Sequence, residues 1–284
     1  MISLQSKRFL TLINKTITFL ILLGAALVFL LPLFWMLSTS LKPKDQIFAY
    51  PLVWLPHPPQ WENYAEALNN PSFKYLLFLQ NSLIYAVMST IGTVVSCAFV
   101  AYAFARLRWW GRDFWFVITL STMMIPYPVT LIPLFLIFRD FGWIGTFKPL
   151  IVPSFLGTPF FIFLLRQFFL TIPMDLSDAA RIDGAREVGI FWHIILPLTR
   201  PALITVALFT FLGSWNDFLG PLIYLNDGSK YTLAVGLAAF RGQYRTQWDL
   251  MMAASTVVTV PIVVLFFFAQ KRFIQGITLT GMKG

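Results

Sequence analysis

The chain has 284 residues, of which 58% are hydrophobic and 12% are charged, and its mean hydropathy is +0.74. An ordinary soluble domain carries about twice that share of charge, so the composition indicates an integral membrane protein. A net charge of +9 would suit a nucleic-acid-binding surface, but the basic residues form short clusters at the ends of apolar runs. That distribution is typical of membrane topology signals and argues against nucleic-acid binding. The single cysteine, Cys97, excludes an internal disulfide, and its apolar surroundings predict a small buried side chain.

Six apolar segments are long enough to cross a bilayer, whose hydrocarbon core requires roughly 20 helical residues. They cover residues 16–41, 80–104, 114–138, 149–166, 201–225 and 250–270. The first is too long for a signal peptide and lacks a small-residue cleavage site, so we interpret it as a span. The sequence therefore predicts an all-α polytopic membrane protein, with residues 1–284 forming a single transmembrane domain of six spans.

Lysine and arginine are distributed unevenly between the two sides of these spans. The larger set lies in tight juxtamembrane clusters at residues 7–15, 106–112, 166, 181–200 and 271–283. Because cytoplasmic loops carry the excess of positive charge, we expect both termini and the stretch of residues 178–200 to be cytoplasmic. The smaller set, which includes Lys42, Lys44 and Arg241, is expected outside.

The stretch of residues 178–201 is the longest polar interruption in the apolar second half of the chain. Residues 178–184 predict a short helix that either ends or bends at Gly184, because glycine adopts a left-handed conformation without strain. Phe191, Trp192 and Ile195 are expected to pack against the neighbouring spans, and the chain then reaches Pro197 and Pro201. Such a segment is either a handle for a partner protein or a passive loop with solvated ion pairs.

Asp217 is the one acidic residue inside a predicted span, and a lipid-facing charge there is costly. Gly213, Gly220 and Pro221 surround it, so the helix is expected to break beside Asn216 and Asp217. Two interpretations stay open. Asn216 and Asp217 line a permeation path, or Asp217 is a structural carboxylate that is hydrogen-bonded to a neighbouring group.

Two predicted outer loops are long enough to have a function. Residues 42–74 are rich in proline and tryptophan, which suits a stiff cap at the membrane interface. Residues 226–249 combine aromatic and polar groups that suit either carbohydrate stacking or the ordinary interfacial belt of aromatic residues. For Phe240, Arg241, Gln243, Tyr244 and Arg245 both interpretations stay open.

The sequence contains no arrangement of residues that indicates an enzyme. His57 and His193 fall on opposite sides of the predicted membrane, and most carboxylates lie beside arginines. Residues 276–283 come within one residue of a phosphate-binding loop, but Met282 displaces the lysine and no strand precedes the segment. We therefore predict no catalytic residue, no metal site and no ATP bound by this chain.

The spacing of several residues between positions 178 and 197 resembles the signature of a known family. Asp178, Ala179, Ala180, Gly184, Ile194, Leu196 and Pro197 are spaced as in the E-A-A-x3-G-x9-I-x-L-P signature. That signature marks permease subunits of binding-protein-dependent bacterial ABC importers. The chain departs from it at Asp178, where aspartate replaces glutamate and shortens the side chain by one methylene. Five further segments resemble carbohydrate-uptake permeases of the maltose-type MalG kind, at residues 40–43, 63–64, 81–83, 215–217 and 276–284.

The resemblance implies roles for several segments. Residues 178–184, which include Asp183, would form the coupling helix that docks on an ABC ATPase dimer, the partner that binds ATP and Mg²⁺. The loop that contains Gly236 and residues 240–245 would reach an extracytoplasmic solute-binding protein. The tail residues Gly281, Met282, Lys283 and Gly284 would contact the ATPase. A second homologous permease and the bacterial inner membrane complete the implied assembly.

The sequence leaves two rival functions. One is a stand-alone secondary transporter or channel for a small polar solute, and the other is an integral membrane enzyme. Secondary transporters usually show internal repeats or several ionisable groups within their spans. No repeat is visible in this sequence, and Asp217 is the one acidic residue within a span, so the importer subunit is favoured.

Overall fold

A computed structural model of the chain describes residues 2–242 and 246–278, without the side chains of residues 2–10, 269 and 271–278. The described residues form helices and connecting loops, and their one β-type pairing is an isolated bridge between Arg241 and Thr246. The all-α prediction is confirmed. The α-helices are α1 (Ile2–Ser40), α2 (Glu62–Leu68), α3 (Tyr75–Arg106), α4 (Arg112–Ser121), α5 (Tyr127–Asp140), α6 (Lys148–Ile151), α7 (Pro159–Leu170), α8 (Met174–Ile182), α9 (Glu187–Ile190), α10 (Leu196–Leu198), α11 (Arg200–Asn216), α12 (Leu219–Tyr224), α13 (Leu233–Gly236) and α14 (Trp248–Thr278).

Four helical segments of the described chain are long and apolar enough to cross a membrane. They are Thr11–Ser40, Tyr75–Arg106, Lys148–Leu170 and Trp248–Phe268. Two bent pairs, Arg112–Met124 with Tyr127–Asp140 and Glu187–Leu198 with Arg200–Asn216, raise the number to 6 if each pair is one span. The chain is therefore a multi-pass membrane protein, and the count of six stays a prediction.

The predicted third span, residues 114–138, is not continuous. A 3₁₀ turn at Thr122–Met124 follows α4, the backbone becomes extended at Ile125 and Pro126, and α5 leaves at 97° to the preceding helix. Proline has no N–H to donate and disfavours the helical conformation of the residue before it. In the sequence, Pro126 and Pro128 indicated this break, but the continuous apolar run around them favoured a single uninterrupted span.

The fourth and fifth predicted spans also contain breaks. In the fourth, a 3₁₀ segment at Val152–Leu156 leads to Gly157, whose φ of +88° is the left-handed region that favours glycine. In the fifth, α11 ends at Asn216 and α12 begins at Leu219, so the predicted break beside Asp217 is confirmed.

The described chain divides into two compact units, each of which is described by itself. One comprises residues 1–71 and 240–259, and the other comprises residues 72–239 and 260–284. The prediction that residues 1–284 form a single transmembrane domain stays a prediction.

In the larger unit, α3 packs against both α7 and α11. Small side chains on α3, among them Cys97, Ala98 and Ala101, are buried there against the larger side chains Leu165 and Phe169 of α7. Within a membrane the hydrophobic effect does not drive helices together, so close packing matters more, and small residues allow helices to approach closely. The prediction that Cys97 is a small buried residue is confirmed, since it is fully buried.

In the smaller unit, the segment after α1 folds back on the end of that helix. Asn63 of α2 donates hydrogen bonds to the carbonyl groups of Ser40 and Lys42, at 2.9 and 3.1 Å. The sequence suggested that Lys42 is a loop charge, but its side chain is fully buried, with Nζ 3.8 Å from the centroid of the Trp35 ring. A cation over an aromatic face is stabilised by the quadrupole of the ring, which partly replaces the lost hydration.

Candidate functional site

The predicted short helix at residues 178–184 forms as part of α8, which begins four residues earlier at Met174 and ends at Ile182. Gly184 has a φ of +84° and its N–H donates to the carbonyl of Arg181, while the N–H of Ala185 donates to the carbonyl of Ala180. This pair of hydrogen bonds is the Schellman arrangement, in which a left-handed glycine ends a helix. Of the two predicted alternatives, Gly184 ends the helix.

Exposed apolar side chains lie on α8 and on the start of α9. Ile182, the last residue of α8, is 87% exposed, and Leu176 of α8 and Val188 of α9 are also exposed large hydrophobic residues. The predicted site residues Asp178, Ala179 and Asp183 are exposed, and Ala180 is half-buried. A polar segment between two membrane helices that presents apolar side chains outward has the character of a partner-binding surface.

A hydrogen-bond network connects α8 to α9 and to α3. Arg181 donates to Asp178 Oδ1 at 2.6 Å and to Glu187 Oε1 at 2.8 Å. The other oxygen of Glu187 accepts a 2.6 Å hydrogen bond from the Tyr102 hydroxyl on α3. The hydrogen bond to Glu187 raises the pKa of the Arg181 guanidinium above its ordinary value, and Asp178 acts in the same direction. Asp178 therefore lies in an intramolecular ion pair.

Arg106, the last residue of α3, was interpreted from sequence only as a topology charge. It is 3% exposed and donates to the carbonyl groups of Ile172 and Pro173, at 2.7 and 3.1 Å, and to Ser177 Oγ at 2.7 Å. A cation beside the last carbonyl groups of a helix satisfies acceptors that have no partner within that helix. Arg106 thus joins α3 to the turn between α7 and α8. The one sequence signal for this role was the position of Arg106 at the end of a long apolar run.

The signature residues Ile194, Leu196 and Pro197 lie in a continuous helical segment that includes a π-helical turn at Phe191–Ile195. Phe191 and Ile195 are buried as expected, and Phe191 stacks on Phe99 with ring centroids 4.8 Å apart. Trp192 also contacts α3, edge-to-face on Phe99 with ring centroids 6.2 Å apart, although 52% of its surface is exposed.

A bend of 78° separates this segment from α11. The bend lies at Thr199, one residue before the Arg200–Pro201 start of α11. Thr199 is fully buried and its hydroxyl donates to the carbonyl groups of Ile195 and Leu196. Pro201 marks the start of the long helix, as the sequence predicted.

An open cleft of about 780 Å³ lies between α8 and the end of α3. Its lining combines three arginines, two carboxylates and three large apolar side chains: Arg106, Arg108, Arg181, Asp178, Glu187, Leu107, Trp109 and Met174. Arg181 forms ion pairs with both carboxylates. Among the described residues no group of three or more His, Cys, Asp or Glu side chains could hold a metal ion.

The predicted translocation residues have different surroundings. Asn216 is exposed, and its amide donates to the carbonyl of Leu212 at 2.9 Å. Asp217 is half-buried and accepts a 2.8 Å hydrogen bond from the Tyr85 hydroxyl and a 3.0 Å hydrogen bond from the Gly220 N–H. These contacts favour the structural interpretation of Asp217.

The predicted outer-loop residues are distributed over several environments. Gly236 is buried, and an added Cβ would lie 2.7 Å from Phe78 Cε2. Phe240 is buried and does not present its ring to solvent, whereas Arg241 is exposed. Gln243, Tyr244 and Arg245 lie outside the described residues, as do the tail residues Gly281, Met282, Lys283 and Gly284.

The start of α3 holds the segment of residues 229–233. Asn81 donates to the carbonyl groups of Ser229 and Tyr231, at 2.9 and 3.0 Å. Ser82 Oγ accepts a 2.8 Å hydrogen bond from the N–H of Leu233. Sequence alone offered no partner for either of these α3 side chains.

Comparisons with known proteins agree with this geometry. Residues 92–279 match the family described as binding-protein-dependent transport system inner membrane component. The chain is 34% identical over 261 residues to the arabinooligosaccharides transport system permease protein AraQ of Bacillus subtilis, which covers 91% of this chain and 92% of that protein. It is 33% identical over 270 residues to the trehalose/maltose transport system permease protein MalG of Thermococcus litoralis, with 93% and 96% covered.

A solved structure has the same fold. It is the crystal structure of a bacterial ABC transporter involved in the import of the acidic polysaccharide alginate. The TM-score is 0.79 and the identity 25%, over 91% of this chain and 96% of that chain. The chain belongs to the family of binding-protein-dependent transport system inner membrane components and is a permease subunit of an ABC importer.

Proposed function

We propose that this permease takes part in the uptake of a carbohydrate and that α8 is its coupling helix. The carbohydrate class is supported by the printed names of the relatives, which transport arabinooligosaccharides or trehalose and maltose, and by the alginate importer of similar fold. On this proposal the assembled importer, and not this subunit alone, determines which saccharide is carried.

The observation that carries the coupling role is the exposed apolar side chain of Ile182 at the end of α8. An ATPase that docks there would bury Ile182 and would lie next to Asp178, which is one helical turn earlier and is paired with Arg181. ATP and Mg²⁺ would bind to the ATPase and not to this chain. On this proposal the protein lies in the inner membrane of a bacterial cell, with α8 and both termini on the cytoplasmic side.

The proposed assembly contains an ABC ATPase dimer, a second homologous permease and an extracytoplasmic solute-binding protein. Closure of the ATPase dimer would move the two coupling helices together and switch the pore between inward-open and outward-open states. Asn216, which is exposed beside the break in the fifth predicted span, is a candidate for the translocation path. Arg241, which is exposed in the 226–249 loop, is a candidate contact with the binding protein.

Reconstitution tests this proposal. The tagged permease, purified in mild detergent from its native membranes, should yield an assembly that hydrolyses MgATP. In vesicles, uptake from a panel of labelled oligosaccharides should require ATP at the α8 side and the solute-binding protein at the other side. Uptake by the permease alone, driven by an ion gradient and independent of ATP, would contradict the proposal.

A further inference from the structure

The helix α3 makes specific side-chain contacts at both of its ends. We propose that α3 is the rigid link that transmits movement of α8 to the segment of residues 229–236 at the opposite end of the same span. The inference rests on the proposed function, because it assumes that α8 is displaced by an ATPase. It assigns a positioning role to Tyr102, Arg106, Asn81 and Ser82.

At one end, Tyr102 and Arg106 are one helical turn apart and therefore lie on the same face of α3. Tyr102 holds Glu187 of α9 at 2.6 Å, and Arg106 holds Ser177 of α8 at 2.7 Å. Both contacts involve an ionised group, and such hydrogen bonds are roughly twice as strong as neutral ones. Because Arg106 and Ser177 are buried, separating α8 from α3 would leave buried polar groups without partners.

At the other end, Asn81 and Ser82 bind three backbone groups of the segment 229–233. One turn earlier, Phe78 lies against Gly236, where an added Cβ would approach Phe78 Cε2 to 2.7 Å. Backbone groups held by side chains of a neighbouring helix must move with that helix or lose their hydrogen bonds. The segment 229–236 is thus attached to α3 by polar contacts and by close packing.

Between the two ends, α3 has the properties of a stiff element. From Asn81 to Arg106 the helix extends about 38 Å, at 1.5 Å per residue. Of the four candidate spans in the described part of the chain, α3 alone contains no proline. Sharp kinks in helices occur mainly at proline, at Gly/Ser pairs or at π-bulges. The glycine of α3, Gly92, packs closely against the segment Val152–Leu156, and α3 is one uninterrupted α-helix, so it is suited to transmit displacement without bending.

The experiment uses the assembled importer in lipid nanodiscs, with a spin label at the exposed position Ser229→Cys. The native Cys97 is fully buried and does not compete for the label. A non-hydrolysable ATP analogue should change the label spectrum in the parent protein. The double variant Tyr102→Phe/Arg106→Met removes the hydrogen bonds from α3 to Glu187, to Ser177 and to the carbonyl groups of Ile172 and Pro173, and it should reduce this change by about fivefold or more.

The variant Asn81→Leu removes the two hydrogen bonds from the other end of α3 to the segment 229–233, and it should likewise abolish the spectral change of the label. The matched control is Ser96→Ala, which removes the 3.1 Å hydrogen bond from α3 to the carbonyl of Ser154 and should leave the change intact. An undiminished change in the double variant, or no change in a parent that binds and hydrolyses ATP, would overturn the link. ATPase association and hydrolysis, measured on the same samples, test the proposed function separately, because their absence in the parent would contradict that function itself.

Discussion

The Tyr85 hydroxyl of α3 donates a 2.8 Å hydrogen bond to Asp217 Oδ2, at the break between α11 and α12. The second carboxylate oxygen accepts from the Gly220 N–H at 3.0 Å, so both oxygens have partners within this chain. A side-chain oxygen that accepts from an early N–H stabilises the start of a helix. The acidic residue of the fifth predicted span thus stabilises the break and fixes it against α3.

This arrangement predicts different effects for two substitutions at Asp217. Asp217→Asn keeps the shape and one oxygen acceptor, so uptake should retain a KM within about twofold of the parent. Asp217→Ala removes the helix-capping oxygen and should lower the free energy of unfolding by about 1 kcal/mol. Thermal unfolding in detergent and uptake kinetics measure the two effects. A tenfold rise of KM in Asp217→Asn at unchanged stability would instead indicate direct contact with the solute.

The exposure of Ile182 at the end of α8 predicts the effect of a charge at that position. Ile182→Glu should weaken binding of the ATPase by about 2 kcal/mol, roughly thirtyfold in Kd, because it places a charge within an apolar contact. The folded permease should be unaffected, since Ile182 is 87% exposed. Co-purification with the ATPase measures the loss. Leu55→Glu, at a position that is 68% exposed outside α8, is the matched control and should bind the ATPase normally.

A substitution at Gly184 should strain the backbone without causing a steric clash. An added Cβ would meet nothing within 4 Å, but the φ of +84° is strained for residues with a side chain. Gly184→Val should therefore cost about 1–2 kcal/mol locally, distort the end of α8 and impair coupling of ATP hydrolysis to uptake. Gly184→Asn should be tolerated better, because asparagine adopts the left-handed conformation more readily. Equal losses in the two variants would point to a steric contact with the partner instead.

Gly92 predicts a packing effect within a span. An added Cβ would lie 2.6 Å from Phe155 Cδ2 and 2.7 Å from Ser154 Oγ, so α3 can approach the Val152–Leu156 segment only with glycine there. Gly92→Ala should destabilise the permease by about 1–3 kcal/mol through overpacking. Thermal unfolding in detergent measures the effect. Gly24→Ala in α1 is the control, because an added Cβ there meets nothing within 4 Å. An unchanged unfolding temperature for Gly92→Ala would contradict the close approach.

The amino-acid sequence by itself determined the features that depend on neighbours along the chain. Apolar length predicted the membrane helices, Gly184 predicted the end of α8, and Pro221 with its glycine neighbours predicted the break at Asp217. The spacing from Asp178 to Pro197 indicated the family. Each of these signals acts within a few residues, since helix termination and helix breaking are properties of the local backbone.

Only the tertiary structure decided which side chains are buried and what they contact. Arg106 looked like a surface charge in sequence, yet its partners Ile172 and Ser177 lie 66 and 71 residues away along the chain. Trp192 packs on Phe99 of α3, yet half of its surface is exposed, and the sequence did not indicate that exposure. The physical reason is that burial depends on which distant helices pack together, and a residue's chain neighbours do not specify that packing.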